Sequence, residues 1–285
     1  METNIKVRNL NKKYKDFQLK NINFDIPEGS IVGLIGENGA GKTTTIRSIL
    51  NITNSEGEIN IFGKDIKKYE KEIKSKIGVV LDDSFLSEYL TPKKINNIMK
   101  SFFNTWNKSE FEKYIKRFNL PENKMIKDFS SGMKMKLKIA TAISHEPQIL
   151  ILDEPTSGLD PIVRNEILDI FREYIAKDET RSILISTHIT TDLEHISDYI
   201  MFIKDGEITL NLPTSDILEN YGIVKCGEDM FKKMDRSDYE YYRKEKYQYE
   251  ILVNNRSFIK NKYNVSTIDR ASIEDLMLFY IKGEK

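Results

Sequence analysis

The stretch GLIGENGAGKTTT, residues 33–45, sets Gly36, Gly41, Lys42 and Thr43 at the spacing G-x-x-x-x-G-K-T. Glycines at those points let successive backbone N–H groups curl around phosphate oxygens. A lysine beside them can reach the β- and γ-phosphates of a nucleoside triphosphate, and a neighbouring hydroxyl can ligate Mg²⁺. The apolar SIVGLIG precedes this loop and a helical pattern runs after it to Leu50. A strand-to-helix turn is the setting this chemistry requires, because the helix N-terminus adds positive partial charge.

A second constellation is ILILDEPTSGLD, residues 149–160. The apolar run Ile149 to Leu152 suits a strand buried on both faces, and its end delivers Asp153 to the Mg²⁺ side of a phosphate site. Glu154 follows directly, placed to polarise an attacking water as general base.

These residues need a frame of strands. IKVRNL (5–10), LKNINFDI (19–26), EINIFG (58–63) and SILIST (182–187) read as β, and YIMFIKDGEITL (199–210) as a hairpin about Asp205-Gly206. Helices are predicted from about Pro161 to Ala176 and near Asp192. Strands alternating with helices imply a parallel sheet covered by helices. Residues from about 85 to 147 carry helical spacings, with Thr91 as a cap before Pro92, and form an all-helical stretch inside the α/β frame. Within it, FSSGMKMKLKIA (129–140) alternates apolar and basic residues like a strand, yet consists of helix formers after a Ser-Ser-Gly start. On a helix, Met133, Met135, Leu137, Ile139, Ala140, Ala142 and Ile143 share one arc. Lys134, Lys138 and Thr141 fall on the solvent face, and Lys136 must snorkel or meet an acid. The helix start at Ser130 to Gly132 offers free N–H groups to an anion.

Lys plus Arg and Asp plus Glu number 44 each in 285 residues, so no net field draws the chain to nucleic acid, and no nucleic-acid partner is expected. The single cysteine, Cys226, excludes an internal disulfide and is expected to be a buried, inert thiol. The N-terminus lacks the apolar run of a signal peptide, and no stretch approaches the roughly 20 apolar residues of a spanning helix. If the protein works at a membrane, another chain is expected to supply the membrane part. Trp106 is expected to anchor helix packing, and His145 and His195 fit no motif.

The motif series resembles the ATP-binding subunits of ATP-binding cassette (ABC) transporters over nearly all of residues 1 to 220. The resemblance implies an α/β fold. It comprises a P-loop NTPase (RecA-like) core with an N-terminal antiparallel β-subdomain, a helical signature subdomain inserted at about 85–147, and a small α+β extension over 221–285. GENGAGKT resembles Walker A, which gives Gly36, Glu37, Asn38, Gly39, Ala40, Gly41, Lys42, Thr43 and Thr44 as nucleotide-binding residues. ILILDE resembles Walker B with its catalytic glutamate, Ser157 to Asp160 the D-loop, and His188 the switch histidine. Tyr14 resembles the aromatic that stacks on adenine. FSSGMK resembles the family signature, whose Ser130 and Gly132 would contact the γ-phosphate held by a second subunit. Ser131 and Met133 depart from the common Leu-Ser-Gly-Gly-Gln. Asp82 or Asp83 stands where many members have a metal-contacting glutamine.

The implied cofactors are ATP and Mg²⁺. The implied partners are a second ATP-binding subunit, identical or a close paralogue, and a membrane permease that holds the chain at the cytoplasmic face. The acidic residue after the third strand, SSGMK and the compact tail are similar to the exporter branch of bacitracin, lantibiotic and phenol-soluble modulin systems in Gram-positive bacteria. Two alternatives stand beside this. A cassette ATPase acting on ribosome or DNA typically has two cassettes or a long coiled coil, and only about 110 residues separate Lys42 from Asp153. A regulatory module that binds ATP without turnover would lack Glu154. The tail, with an amphipathic helix near Ile273 to Ile281, is expected to pack on the core, with a regulatory or dimer contact as its alternative.

Overall fold

The computed structural model describes residues 2–81 and 87–285. Strands β1 (Thr3–Lys13) and β2 (Gln18–Pro27) pair antiparallel and lead through a turn at Gly29 into β3 (Ile31–Ile35) and helix α1 (Lys42–Ile49). Next come β4 (Glu56–Ile61), β5 (Lys64–Asp65), α2 (Glu70–Lys74) and β6 (Ile77–Val80). The inserted helices are α3 (Pro92–Phe102), α4 (Lys108–Arg117) and α5 (Ser131–Ile143). The frame resumes with β7 (Ile149–Asp153), α6 (Pro161–Ala176), β8 (Ser182–Thr187), α7 (Thr190–Ile196), β9 (Tyr199–Lys204), β10 (Glu207–Pro213) and α8 (Thr214–Asn220). The remainder holds β11 (Gly222–Cys226), α9 (Glu228–Phe231), β12 (Tyr241–Lys244), β13 (Tyr249–Val253), α10 (Arg256–Tyr263), β14 (Asp269–Arg270) and α11 (Ile273–Lys282).

The central sheet has the order β10-β9-β3-β8-β7-β6 and is parallel except for β10. Strands β3, β7 and β8 are buried at every residue and are built mainly of Ile, Val and Leu, as a sheet covered on both faces requires. Because β3, β8 and β7 are adjacent and parallel, the loops after Ile35, Thr187 and Asp153 open at one edge of the sheet. The antiparallel sheet β2-β1-β4-β5 stacks its Ile5, Val7, Ile22, Phe24 and Ile59 against Val32, Leu34, Ile46 and Ile49. Asp205 and Gly206 both take positive φ, which makes the tight turn between β9 and β10.

In the helical insertion, Thr91 caps α3 by accepting from the Lys94 N–H, and the buried Trp106 donates from Nε1 to Asn96 Oδ1 at 2.8 Å. The stretch from Ser131 is a helix, so the alternation of Met and Lys is a rhythm of sequence only. Lys136 meets its acid, Glu166 of α6, at 2.7 Å. Lys134 pairs with Glu88, and Lys138 Nζ donates to Leu81 O. Thr141 departs from the expected solvent face. It is buried and returns its hydroxyl to Leu137 O at 2.8 Å, because from Ile139 to Ile143 every residue of α5 is buried.

The tail carries a third sheet, β12-β13-β11-β14, over a small core of Val224, Met234, Ile251, Val253 and Ile259. The residues that α11 buries, Ile273, Leu276, Phe279 and Tyr280, join the main core instead. Cys226, expected buried, lies half-exposed at the end of β11, and its partial burial pushes the thiol pKa up.

Candidate active site

The loop from Gly36 to Gly41 is shaped by backbone that L-residues rarely adopt. Gly39 has φ +83 and Gly41 has φ +117, and Gly41 is the N-cap of α1. A side chain at Gly41 would also run into Leu19 and Phe17. Glu37, Asn38 and Gly39 are exposed, whereas Ala40 and Lys42 are buried. Lys42 Nζ donates to Gly36 O at 2.8 Å and Glu37 O at 3.3 Å, and lies 3.4 Å from Glu154 Oε1. A buried ammonium is tolerable only with such partners, and these hold it at the mouth of the loop.

Asp153, the last residue of β7, is 1% exposed. Its Oδ2 accepts from Thr43 Oγ1 at 2.8 Å, and its Oδ1 accepts from Ser186 Oγ of β8. Ser186 was not singled out from sequence. The signal available was the hydroxyl pair Ser186-Thr187 closing the apolar run 183–185 of a strand buried at every residue. Glu154 has φ +50, a strained setting for a residue with a Cβ, and its N–H donates to Ser186 O at 2.9 Å. That turn aims the carboxylate inward, where Oε2 lies 2.8 Å from His188 Nδ1. Residues 42, 43, 153, 154 and 188 are therefore joined in one chain of contacts.

The donor set suits a hard divalent cation on a phosphate. Thr43 and Asp153 offer a hydroxyl and a carboxylate side by side, and among the described residues no group of three or more His, Cys, Asp or Glu forms a metal cage. Mg²⁺ uses that pattern, since it keeps waters and phosphate oxygens and takes few protein ligands. A cavity of about 160 Å³ lies between Glu37–Ala40 and the β9–β10 turn at Lys204 and Asp205.

Ser130 and Gly132 stand apart from this cluster. Ser130 caps α5, accepting from the Met133 N–H at 3.3 Å, and Gly132 faces Leu159 and Val163 beside the D-loop. Asp160 caps α6, accepting from Ile162 and Val163 N–H at 3.1 and 3.0 Å. Tyr14 is 43% exposed in the β1–β2 turn, with Lys12 Nζ 5.1 Å from its ring centroid. The aromatic found against Gly41 is Phe17, which the sequence reading passed over. Asp82 lies outside the described residues.

Residues 19–157 match the family described as ABC transporter. The bacitracin transport ATP-binding protein BcrA of Bacillus licheniformis is 35% identical over 217 residues, 75% of this chain and 71% of that protein. The chain belongs to the ABC transporter ATP-binding family. The lantibiotic transport ATP-binding protein SrtF of Streptococcus pyogenes is 34% identical over 210 residues, 72% of this chain and 89% of its own. A solved ATP-binding subunit of an ABC transporter superposes with a TM-score of 0.69 at 29% identity, covering 75% of this chain and 92% of that one. This ABC subunit is thus a nucleotide-binding ATPase. Its antiparallel subdomain, parallel sheet and inserted helices follow the family architecture.

Proposed function

We propose that this ABC ATPase works as a pair that sandwiches two ATP molecules head to tail and drives export of antimicrobial or toxic peptides or drugs through a separate permease. The observation that carries the reading is the Glu154 carboxylate set between Lys42 and His188, at 3.4 and 2.8 Å. Thr43 and Asp153 would hold Mg²⁺, which when bound would offset phosphate charge. Backbone N–H groups from Gly36 to Thr44 and the Lys42 ammonium bind and orient the phosphates, so charge developing in the transition state meets fixed donors. Glu154 orients water and accepts its proton, and His188 contacts the γ-phosphate. Ser130 and Gly132 of one subunit complete the site of the other, and Asp160 lies beside them. Tyr14 supplies the surface for adenine, and Asp82 or Asp83 the acidic group toward the metal. Loss of the γ-phosphate releases the contacts that close the sandwich.

Among the described residues no helix is long and apolar enough to cross a membrane. A permease chain then anchors the subunit at the cytoplasmic face. An open groove of about 1270 Å³, with Leu90, Ile98, Met99, Phe102 and Phe103 on its wall, supports that docking, and Phe102 is 75% exposed there. Residues 1–220 act as the cassette and 221–285 as an accessory unit. Glu154→Gln tests the reading. It should lose ATPase activity by roughly 100-fold or more, form an ATP-dependent dimer and still co-purify with the permease encoded beside it. Retained turnover without dimer formation refutes the role of Glu154, and a pool that binds ribosomes and never fractionates with membrane refutes transport.

A further inference from the structure

The C-terminal helix α11 is gripped at both ends by charged side chains from the cassette. At its start Glu194 Oε1 accepts the Ile273 N–H at 2.7 Å, next to a capping box made by Ser272 and Asp275. At its end Lys204 Nζ donates to Tyr280 O at 2.8 Å and Ile281 O at 3.3 Å. A carboxylate at the N-terminus and an ammonium at the C-terminus match the helix dipole, and here other elements supply both. Between them Ile273, Leu276, Phe279 and Tyr280 are buried, and the Tyr280 ring meets Phe202 edge-on at 5.5 Å.

The two gripping residues sit on elements that adjoin His188 and the glycine-rich loop. Glu194 belongs to α7, the helix that follows His188. Lys204 ends β9, directly before the Asp205-Gly206 turn, and the Gly206 N–H donates to Ala40 O of the phosphate loop at 3.1 Å. That turn also walls the cavity beside Glu37–Ala40. One helix from the tail is therefore bonded to the switch-histidine helix on one side and to the hairpin behind the phosphate loop on the other.

We propose that Glu194 and Lys204 are positioning residues for ATP turnover, acting through α11. The helix is a strut that fixes the spacing of α7 against the β9–β10 hairpin, which gives the C-terminal extension a hold on the rate. The proposal rests on the ATPase reading and adds a role for the tail. Lys204 acts on the loop that binds ATP, so its loss registers in KM. Glu194 acts on α7, which follows His188 in the chain, so its loss registers in kcat.

The test is steady-state ATP hydrolysis by the full chain with its permease. Lys204→Met should raise KM for ATP by about 3- to 10-fold with kcat within about twofold, and Glu194→Ala should lower kcat by about 3- to 10-fold with KM within about twofold. Lys204→Arg and Glu194→Gln, which keep a donor and an acceptor, should return to near wild-type values. In the double variant the loss of kcat/KM should be smaller than the product of the single losses, since both act through one helix. If a truncating variant fails to fold, Lys204→Gln and Glu194→Ser carry the same comparison. A fall in Tm with kcat and KM unchanged makes α11 a packing element and overturns the proposal. A wild-type complex without ATPase activity overturns the underlying reading as well, so the two failures are told apart by the wild-type control.

Discussion

His188 Nδ1 lies 2.8 Å from Glu154 Oε2, while the other oxygen of the same carboxylate lies 3.4 Å from Lys42 Nζ. Glu154 is therefore braced from the loop after β8 and from the first residue of α1, on a backbone turn with φ +50 that fixes its direction. His188→Ala frees one brace and leaves the phosphate loop intact. It should lower kcat by about 10- to 100-fold with little change in KM, read by steady-state kinetics. An equal rise in KM would show that the imidazole serves binding rather than turnover.

Ser186 donates to Asp153 and so fixes which oxygen faces Thr43. In Ser186→Ala the carboxylate loses that partner, and its free oxygen turns. The Mg²⁺ concentration for half-maximal ATPase should rise by roughly tenfold. A Mg²⁺ titration of the variant that overlays the wild type would remove Ser186 from the metal site.

Gly132 has room for a side chain, since the atoms nearest an added Cβ, on the Val163 and Leu159 side chains, lie 3.7 to 3.9 Å away. Gly132→Asp should therefore fold and bind ATP as a monomer, and fail to form the ATP-dependent dimer because a carboxylate would face the partner's γ-phosphate. Size-exclusion chromatography of this variant in the Glu154→Gln background reads the outcome. Dimer formation at the same ATP concentration would place the partner's phosphate elsewhere.

Burial pushes the pKa of His145 down to about 4, against the Phe103 ring at 4.1 Å and with Nε2 3.2 Å from Ile77 O. In the unfolded chain the imidazole titrates near 6.5, so between about pH 6.5 and 4 only the unfolded state takes the proton. Its contribution to stability is fully present above pH 6.5 and is lost as pH falls, by up to about 3 kcal/mol at pH 4. Denaturant unfolding from pH 7 to 4.5 should show this slope in the wild type and a shallower one in His145→Gln. Parallel slopes would assign the acid sensitivity to carboxylates.

The residues of the site were legible because their chemistry depends on local spacing. A glycine-rich turn between strand and helix, an acid at a buried strand end and a second acid beside it are short-range patterns, and α1, β7 and α6 fall where those patterns predict them. Strands β12 and β13 mix Tyr and charge on partly solvated residues, with burial complete only from Ile251 to Val253, so their periodicity is weak and the sequence does not mark them as strands. Thr141 was misplaced because a helical arc says which residues share a face, not how many neighbours surround the helix.

The sequence by itself determined the chemical types, Lys42, Thr43, Asp153, Glu154 and His188, and the strands that present them, since backbone geometry follows local sterics and hydrophobic period. Tertiary structure alone decided which groups touch. Glu154 meets His188 across 34 residues and Asp153 meets Ser186 across 33, Lys136 finds Glu166 on another helix, and Glu194 and Lys204 hold α11 from opposite sides. Those contacts arise from the packing of parallel strands and the closure of long loops, and no local pattern of residues encodes a distance between segments that only folding brings together.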